Sequence, residues 1–289
     1  MRKLEIIHQL ETYLNRLGYG EKTIIIIKRC CLEFMTRLEI EQVEAIQDIT
    51  SADIIDHYNY LNERPNKITQ GGLSGKYIDH HIYSMKIFFE WQQTIQSIEG
   101  NPMSPLTFPK GESRPMQILT QSEIHQLYEV TETWKEKTLL SLYYGCGLRK
   151  SEGESLDIKD VHFRSGILYV RKGKGSKRRA VPMSKKVAEP IYQYIHEERQ
   201  NPNQLKALVI NKKDGRMRGQ TYGLLLKKMM LKTEINKDIT LHCLRHSIAT
   251  HLLESGMRIE KIQDFLGHKH LESTMRYTRV SKQLLHGTS

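Results

Sequence analysis

Apolar residues recur at three- and four-residue steps through Leu4, Ile7, Leu10, Leu14 and Leu17, the spacing of one helix face, until Gly18 and Gly20 interrupt it. Residues 22–38 read as a second helix, although the β-branched run at 24–27 weakens the helix preference. Ser51 is the expected N-cap of a helix over 51–62. A glycine-rich turn at 71–75 precedes a helix over 76–93, whose stripe is Ile78, Ile82, Met85, Phe88 and Phe89. This half is expected to form a small domain of four or five helices.

The pattern changes at residues 100–115, where Pro102, Pro105, Pro109 and Pro115 fall among Gly100 and Gly111. Such punctuation predicts an interdomain linker. Thr120 and Glu123 then have the spacing of a capping box, followed by helices over about 122–130 and 134–145. Two short β-type runs, 167–170 and 179–182, flank the turn Lys172-Gly173-Lys174-Gly175-Ser176-Lys177 and predict a hairpin, with a third strand near 158–163. Helices are expected again over 184–198, 219–231, 243–255, 258–266 and 271–280. The fold class is therefore mainly α with a small antiparallel β-sheet: a helical domain over 1–110 and a mixed α+β domain over 115–289.

Composition sharpens this. The 289 residues are 38% hydrophobic, enough for two cores. No apolar run approaches the roughly 20 residues of a membrane span, and the N-terminus lacks the apolar core of a signal peptide. A cytoplasmic protein with no membrane partner is expected. Cys30, Cys31, Cys146 and Cys243 fit neither a zinc site nor a disulfide framework and read as reduced thiols. The formal net charge is +11, unevenly distributed. Residues 1–112 hold 12 Lys and Arg against 15 Asp and Glu, whereas residues 113–289 hold 32 against 18. That excess in the second half predicts a polyanionic partner there, nucleic acid above all.

Four stretches in the basic half carry candidate chemistry: Gly147-Leu148-Arg149-Lys150-Ser151-Glu152, the hairpin around Lys174, His242-Cys243-Leu244-Arg245-His246, and Leu266-Gly267-His268, followed nine residues later by Tyr277. In this order they resemble the catalytic motifs of the tyrosine recombinase (phage integrase-like) family. The resemblance is detailed over about 115–280. Over 1–110 it is looser, to the family's helical, SAM-like core-binding domain.

The resemblance implies a nucleophile at Tyr277 and two phosphate-clamping arginines, Arg149 and Arg245. Guanidinium suits that task because it is planar, always charged and donates paired hydrogen bonds to the charge that builds on a phosphate. His242 lies three residues before Arg245, hence on the same helix face. It matches the family's phosphate-contacting histidine, and His268 matches the third basic position. Lys174, flanked by glycines that permit a tight turn, matches the catalytic lysine, which protonates the leaving 5′-oxygen; such general acid catalysis is worth roughly 10²–10⁴-fold. Lys172 is the alternative acid. Glu152 matches an acidic residue that supports the basic groups. Arg171, Lys172, Lys177, Arg178 and Arg179 crowd the same hairpin and are expected to neutralise DNA phosphates. Many relatives carry an apolar residue where this chain has Gly153. His246, His251 and His270 read as structural.

The implied activity is site-specific recombination through a 3′-phosphotyrosyl intermediate, with no metal, ATP or other cofactor. The implied partners are double-stranded DNA recombination sites, bound by a homo-tetramer on synapsed DNA that assembles from monomers. Integration or excision of a mobile element is the preferred role, since the short tail after Tyr277 differs from the Xer pattern; Xer-type resolution of replicon dimers is the alternative. A type IB-like topoisomerase is a second class, disfavoured by the separate helical domain. A non-catalytic DNA-binding accessory protein is a third, disfavoured because every catalytic position holds a competent residue.

Overall fold

The structure, a computed structural model, describes residues 2–43, 45–66, 71–109, 117–171, 179–199 and 206–268. The chain divides into two compact units, Met1–Pro115 and Met116–Ser289.

Among the described residues of the first unit four α-helices surround one core: α1 (Lys3–Arg16), α2 (Glu21–Ile40), α3 (Ser51–Glu63) and α4 (Gly75–Thr94). The periodic residues Leu10 and Leu14 of α1 meet Ile27, Phe34 and Met35 of α2 and Met85, Phe88 and Phe89 of α4. The isoleucine run does not break α2, because Ile24 and Ile27 reach the core while Ile25 is exposed. The N-cap of α3 is Thr50 rather than Ser51: the Asp53 amide donates to the Thr50 hydroxyl, and the Thr50 amide donates back to the Asp53 carboxylate at 2.7 Å. Ser51 lies inside the helix and donates its hydroxyl to the Pro102 carbonyl at 2.8 Å. His57 and His81 are wholly buried beside the core, their rings 5.6 Å apart.

The second unit opens with α5 (Gln121–Glu129), held by the expected Thr120–Glu123 capping box. A second box, Thr133–Glu136, starts α6 (Trp134–Leu140). The single helix expected over 134–145 is instead α6 running into a π-helical turn, Ser141–Gly145. After α7 (Lys150–Ser155) comes an antiparallel sheet in the order β1 (Val161–His162), β2 (Ile167–Val170), β3 (Arg179–Pro182). The third strand is shorter than expected, since Ile158–Asp160 form a 3₁₀ turn. Register places Leu168 against Val181 and Val170 against Arg179.

The helices α8 (Lys185–Gln193), α9 (Gly219–Met230), α10 (Leu241–Glu254) and α11 (Ile259–Leu266) complete the described part. The helix expected over 271–280 lies outside the described residues. Leu127, Leu139, Leu142, Tyr143, Leu168, Val181 and Leu244 fill the main core, and Ala249, Ile262 and Leu266 join α10 to α11. All four cysteines are free, three of them buried. Among the described residues no helix is long and apolar enough to cross a membrane.

Candidate active site

The site is assembled from the end of the π turn, the start of α7, the first turns of α10 and the end of α11. In the π turn the chain closes an i to i+5 hydrogen bond, Cys146 amide to Ser141 carbonyl at 2.8 Å. Gly147 follows with φ +56°, a left-handed conformation that glycine adopts without steric cost. A Cβ there would lie 3.0 Å from Leu266 and 3.1 Å from Phe265, so glycine also lets α11 approach. The turn delivers Arg149 to the N-cap of α7, where its amide donates to Glu152 Oε2 at 2.8 Å.

Glu152 has no exposed surface and gathers three guanidiniums. Arg149 Nη1 donates to its Oε1 at 2.7 Å. Arg179 chelates it, Nη1 to Oε1 at 2.7 Å and Nη2 to Oε2 at 2.9 Å. Arg245 Nη1 lies 3.8 Å from Oε2. Burial alone would raise the Glu152 pKa, but hydrogen bonds and charge from Arg179 and Arg149 outweigh it and hold the carboxyl at about 2.

Arg245 is also without exposed surface. It donates to the Gly147 carbonyl, to the Leu266 carbonyl at 2.7 Å and towards His268 Nε2 at 2.9 Å. A guanidinium has no acceptor, so in this contact His268 Nε2 accepts and its neutral ring carries the proton on Nδ1. Helix α11 ends at Gly267 with φ +64°, which turns the chain and sends the Gly267 carbonyl to Arg149 Nη2 at 3.1 Å. His268 is held near pKa 4, by desolvation first and then by the charges of Arg245, Arg149 and Arg179. His242, one turn before Arg245 on α10, is exposed, its ring centroid 4.3 Å from that of His246. Partial desolvation and the charges of Arg245 and Arg149 lower its pKa as well. Near neutral pH the cluster is thus two neutral imidazoles among three guanidiniums and one carboxylate.

Of the residues expected at the site, Arg149, Glu152, Arg245 and His268 are in direct contact, and His242 stands within the field of both arginines. Tyr277, Lys174, Lys172, Lys177 and Arg178 lie outside the described residues. Arg171 and Arg179, expected on DNA phosphates, make ion pairs within the protein. Arg171 bridges Asp157 and Asp160, and Arg216 binds Asp157 from the other side at 2.6 Å. The Arg179 side chain, only 10% exposed, is committed to Glu152. The carbonyls of Gly147 and Gly267 are site components that the residue pattern does not announce, except through the glycines themselves. Gly153 has a local explanation: a Cβ there would lie 2.5 Å from the Tyr143 hydroxyl, so the buried tyrosine fills the space an apolar side chain would take. His251, read as structural, shares a 2.9 Å hydrogen bond with the Tyr144 hydroxyl.

The Phage integrase family matches residues 117–283. Tyrosine recombinase XerD of Oceanobacillus iheyensis is 32% identical over 277 residues, covering 93% of this chain and 91% of that protein. Tyrosine recombinase XerC of the same organism is 29% identical over 262 residues, covering 87% and 83%. Among solved structures, the Tn1549 transposon integrase in complex with circular intermediate DNA has the same fold, with a TM-score of 0.72 at 21% identity, covering 96% of this chain and 98% of that one.

Proposed function

Because the chain belongs to the phage integrase family and is a tyrosine site-specific recombinase, we propose that Tyr277 attacks a scissile phosphate held by Arg149 and Arg245. The Tyr277 phenol gives up its proton to solvent and its oxygen bonds to phosphorus as the bond to the 5′-oxygen breaks. Lys174 supplies the proton that the leaving 5′-oxygen takes. The product is a 3′-phosphotyrosyl bond, which keeps the energy of the phosphodiester, so attack by a 5′-hydroxyl of another strand reseals DNA without ATP. No metal is assigned to the step: the two guanidiniums carry the charge that develops on the nonbridging oxygens. A phenol, which ordinarily ionises only near pH ~10, needs such a cationic setting to attack near neutral pH.

The observation that carries the reading is the convergence of Arg149, Arg245 and His268 around Glu152. In the described geometry Arg149 and Arg245 donate to the Gly267 and Leu266 carbonyls and to His268. A phosphate is a stronger acceptor than these neutral groups and would draw donors from them. His268 and His242, neutral near pH 7, then act as hydrogen-bond donors rather than as fixed cations, His268 once its proton has moved from Nδ1 to Nε2.

The substrate in this reading is a pair of double-stranded DNA sites, exchanged by a homo-tetramer. The Tn1549 integrase is described in complex with a circular transposon intermediate, and integration or excision of a mobile element is the role proposed here. XerD and XerC of one organism are 32% and 29% identical to this chain. Their names favour a second reading, Xer-type resolution of replicon dimers. Sequencing the DNA covalently trapped on the protein in cells separates the two: junctions at the ends of one element support the first, and a single fixed chromosomal locus the second. For the chemistry, Tyr277→Phe is expected to bind DNA with wild-type affinity and to form no covalent adduct on a nicked suicide substrate. An adduct on that variant would remove Tyr277 as the nucleophile.

A further inference from the structure

Glu152 is one carboxylate among three guanidiniums of the described residues, and the guanidinium that occupies both its oxygens does not belong to either clamp arginine. Arg179 lies on β3, 27 residues from Glu152 in sequence, and chelates it at 2.7 and 2.9 Å. Its Nε donates to the Phe265 carbonyl at 3.2 Å, which fixes the plane of the guanidinium. Its aliphatic stem packs where a side chain on Gly267 would stand, since a Cβ there would meet Arg179 Cδ at 2.7 Å. A side chain only 10% exposed and bonded through both terminal nitrogens is poorly placed to serve as a phosphate ligand.

The electrostatic consequence concerns the other two arginines. A buried carboxylate without its own counterion takes the nearest cations. Those would be Arg149, already donating at 2.7 Å, and Arg245, 3.8 Å away. Each is a group the reaction needs for phosphate.

We infer that Arg179 is a positioning residue that acts through Glu152: by chelating both carboxylate oxygens it limits Glu152 to a single hydrogen bond with the Arg149 guanidinium and leaves Arg245 3.8 Å away, so that both clamp arginines can turn to phosphate. This inference rests on the reading of Arg149 and Arg245 as phosphate ligands.

Epistasis tests it, with the full chain and a nicked suicide substrate. Arg179→Met is expected to slow adduct formation by about 10- to 100-fold, the scale of a misplaced catalytic group. Its DNA affinity should keep the wild-type salt slope, whereas loss of a phosphate contact lowers that slope by about 1. The deciding comparison removes the carboxylate: in a Glu152→Gln background, adding Arg179→Met should change the rate by no more than about twofold, the scatter within which effects on stability add, whereas an independent residue would cost about the same 10- to 100-fold there. A much larger loss in that background, or a lowered salt slope for Arg179→Met alone, overturns the inference. The double variant, whose paired changes leave the net charge of the cluster unaltered, also guards against a single variant that fails to fold, because its buried site holds no uncompensated carboxylate.

A second measurement needs no catalysis. Titration of His268 by NMR should move upward in Arg179→Met and return when Glu152→Gln is added. An unmoved His268 would sink the inference even if the wild type formed no adduct. That last result would count against Tyr277 instead.

Discussion

Arg245 carries a full charge with no exposed surface, and its hydrogen bonds run to the ends of other elements: the Gly147 carbonyl, the Leu266 carbonyl and His268. The residue type was legible from its motif. Its surroundings were not, because two of its acceptors are main-chain carbonyls placed by glycines in the left-handed region. That dependence gives a prediction for Gly267. Alanine there must adopt φ near +64° and also displace the Arg179 stem. Gly267→Ala is expected to cost about 1–2 kcal/mol for the backbone alone, read as a lower urea midpoint at unchanged m-value, together with slower adduct formation. A variant with wild-type stability and rate would mean that the α11 turn does not set the site. Arg179 illustrates the opposite limit. Its sequence setting, among basic hairpin residues, pointed to DNA, while its partners at positions 152 and 265 became visible only in three dimensions.

At the scale of elements, local signals served well where the chemistry is local. Thr120 and Glu123 announce the start of α5 because both hydrogen bonds of the box span three residues. The same spacing exists at Thr50 and Asp53, but the adjacent Ser51 hydroxyl is an equally plausible cap, and only its bond to Pro102 settles which does which. Thr50→Ala should therefore lower stability by about 1 kcal/mol, while Ser51→Ala should leave the α3 cap intact and remove only the tie to residue 102. Equal amide-exchange protection in the first turn of α3 for Thr50→Ala and wild type would contradict the assignment. The π turn at Ser141–Gly145 was not legible, since residues 134–145 carry an ordinary helical pattern. Its wider hydrogen bonding redirects the chain before Gly147, which helps bring Arg149 to α7 rather than continuing α6.

For the whole molecule, the two units differ in what they ask of pH. The basic excess belongs to residues 113–289, and there the ionised carboxyl of Glu152 persists to about pH 2. The first unit instead buries His57, whose pKa is lowered from 6.5 to about 3 by desolvation first, then by His81, Arg37 and Arg64. The folded state keeps this ring neutral while the unfolded chain takes up a proton near pH 6.5. The stability it supports is thus complete above 6.5 and drains as pH falls towards 3. By linkage, His57 alone should cost about 2 kcal/mol at pH 5 relative to neutral pH. His57→Leu should remove that dependence, measured as urea midpoint against pH. If wild type and variant lose stability in parallel between pH 7 and 5, the buried imidazole is not the cause. The two-unit organisation and the charge asymmetry were both readable from residue counts and proline spacing. The acid-sensitive pair was not, because His57 and His81 lie on different helices and look, in sequence, like any other polar positions.

The shared carboxylate at position 152 also constrains inheritance. Three arginines, drawn from a helix cap, a strand and a long helix, answer to one side chain, so no one of these four positions can drift alone. Lineages that replace Glu152 should be those that have also replaced Arg179, and the two changes should enter together or in quick succession, with Arg149 and Arg245 left unchanged.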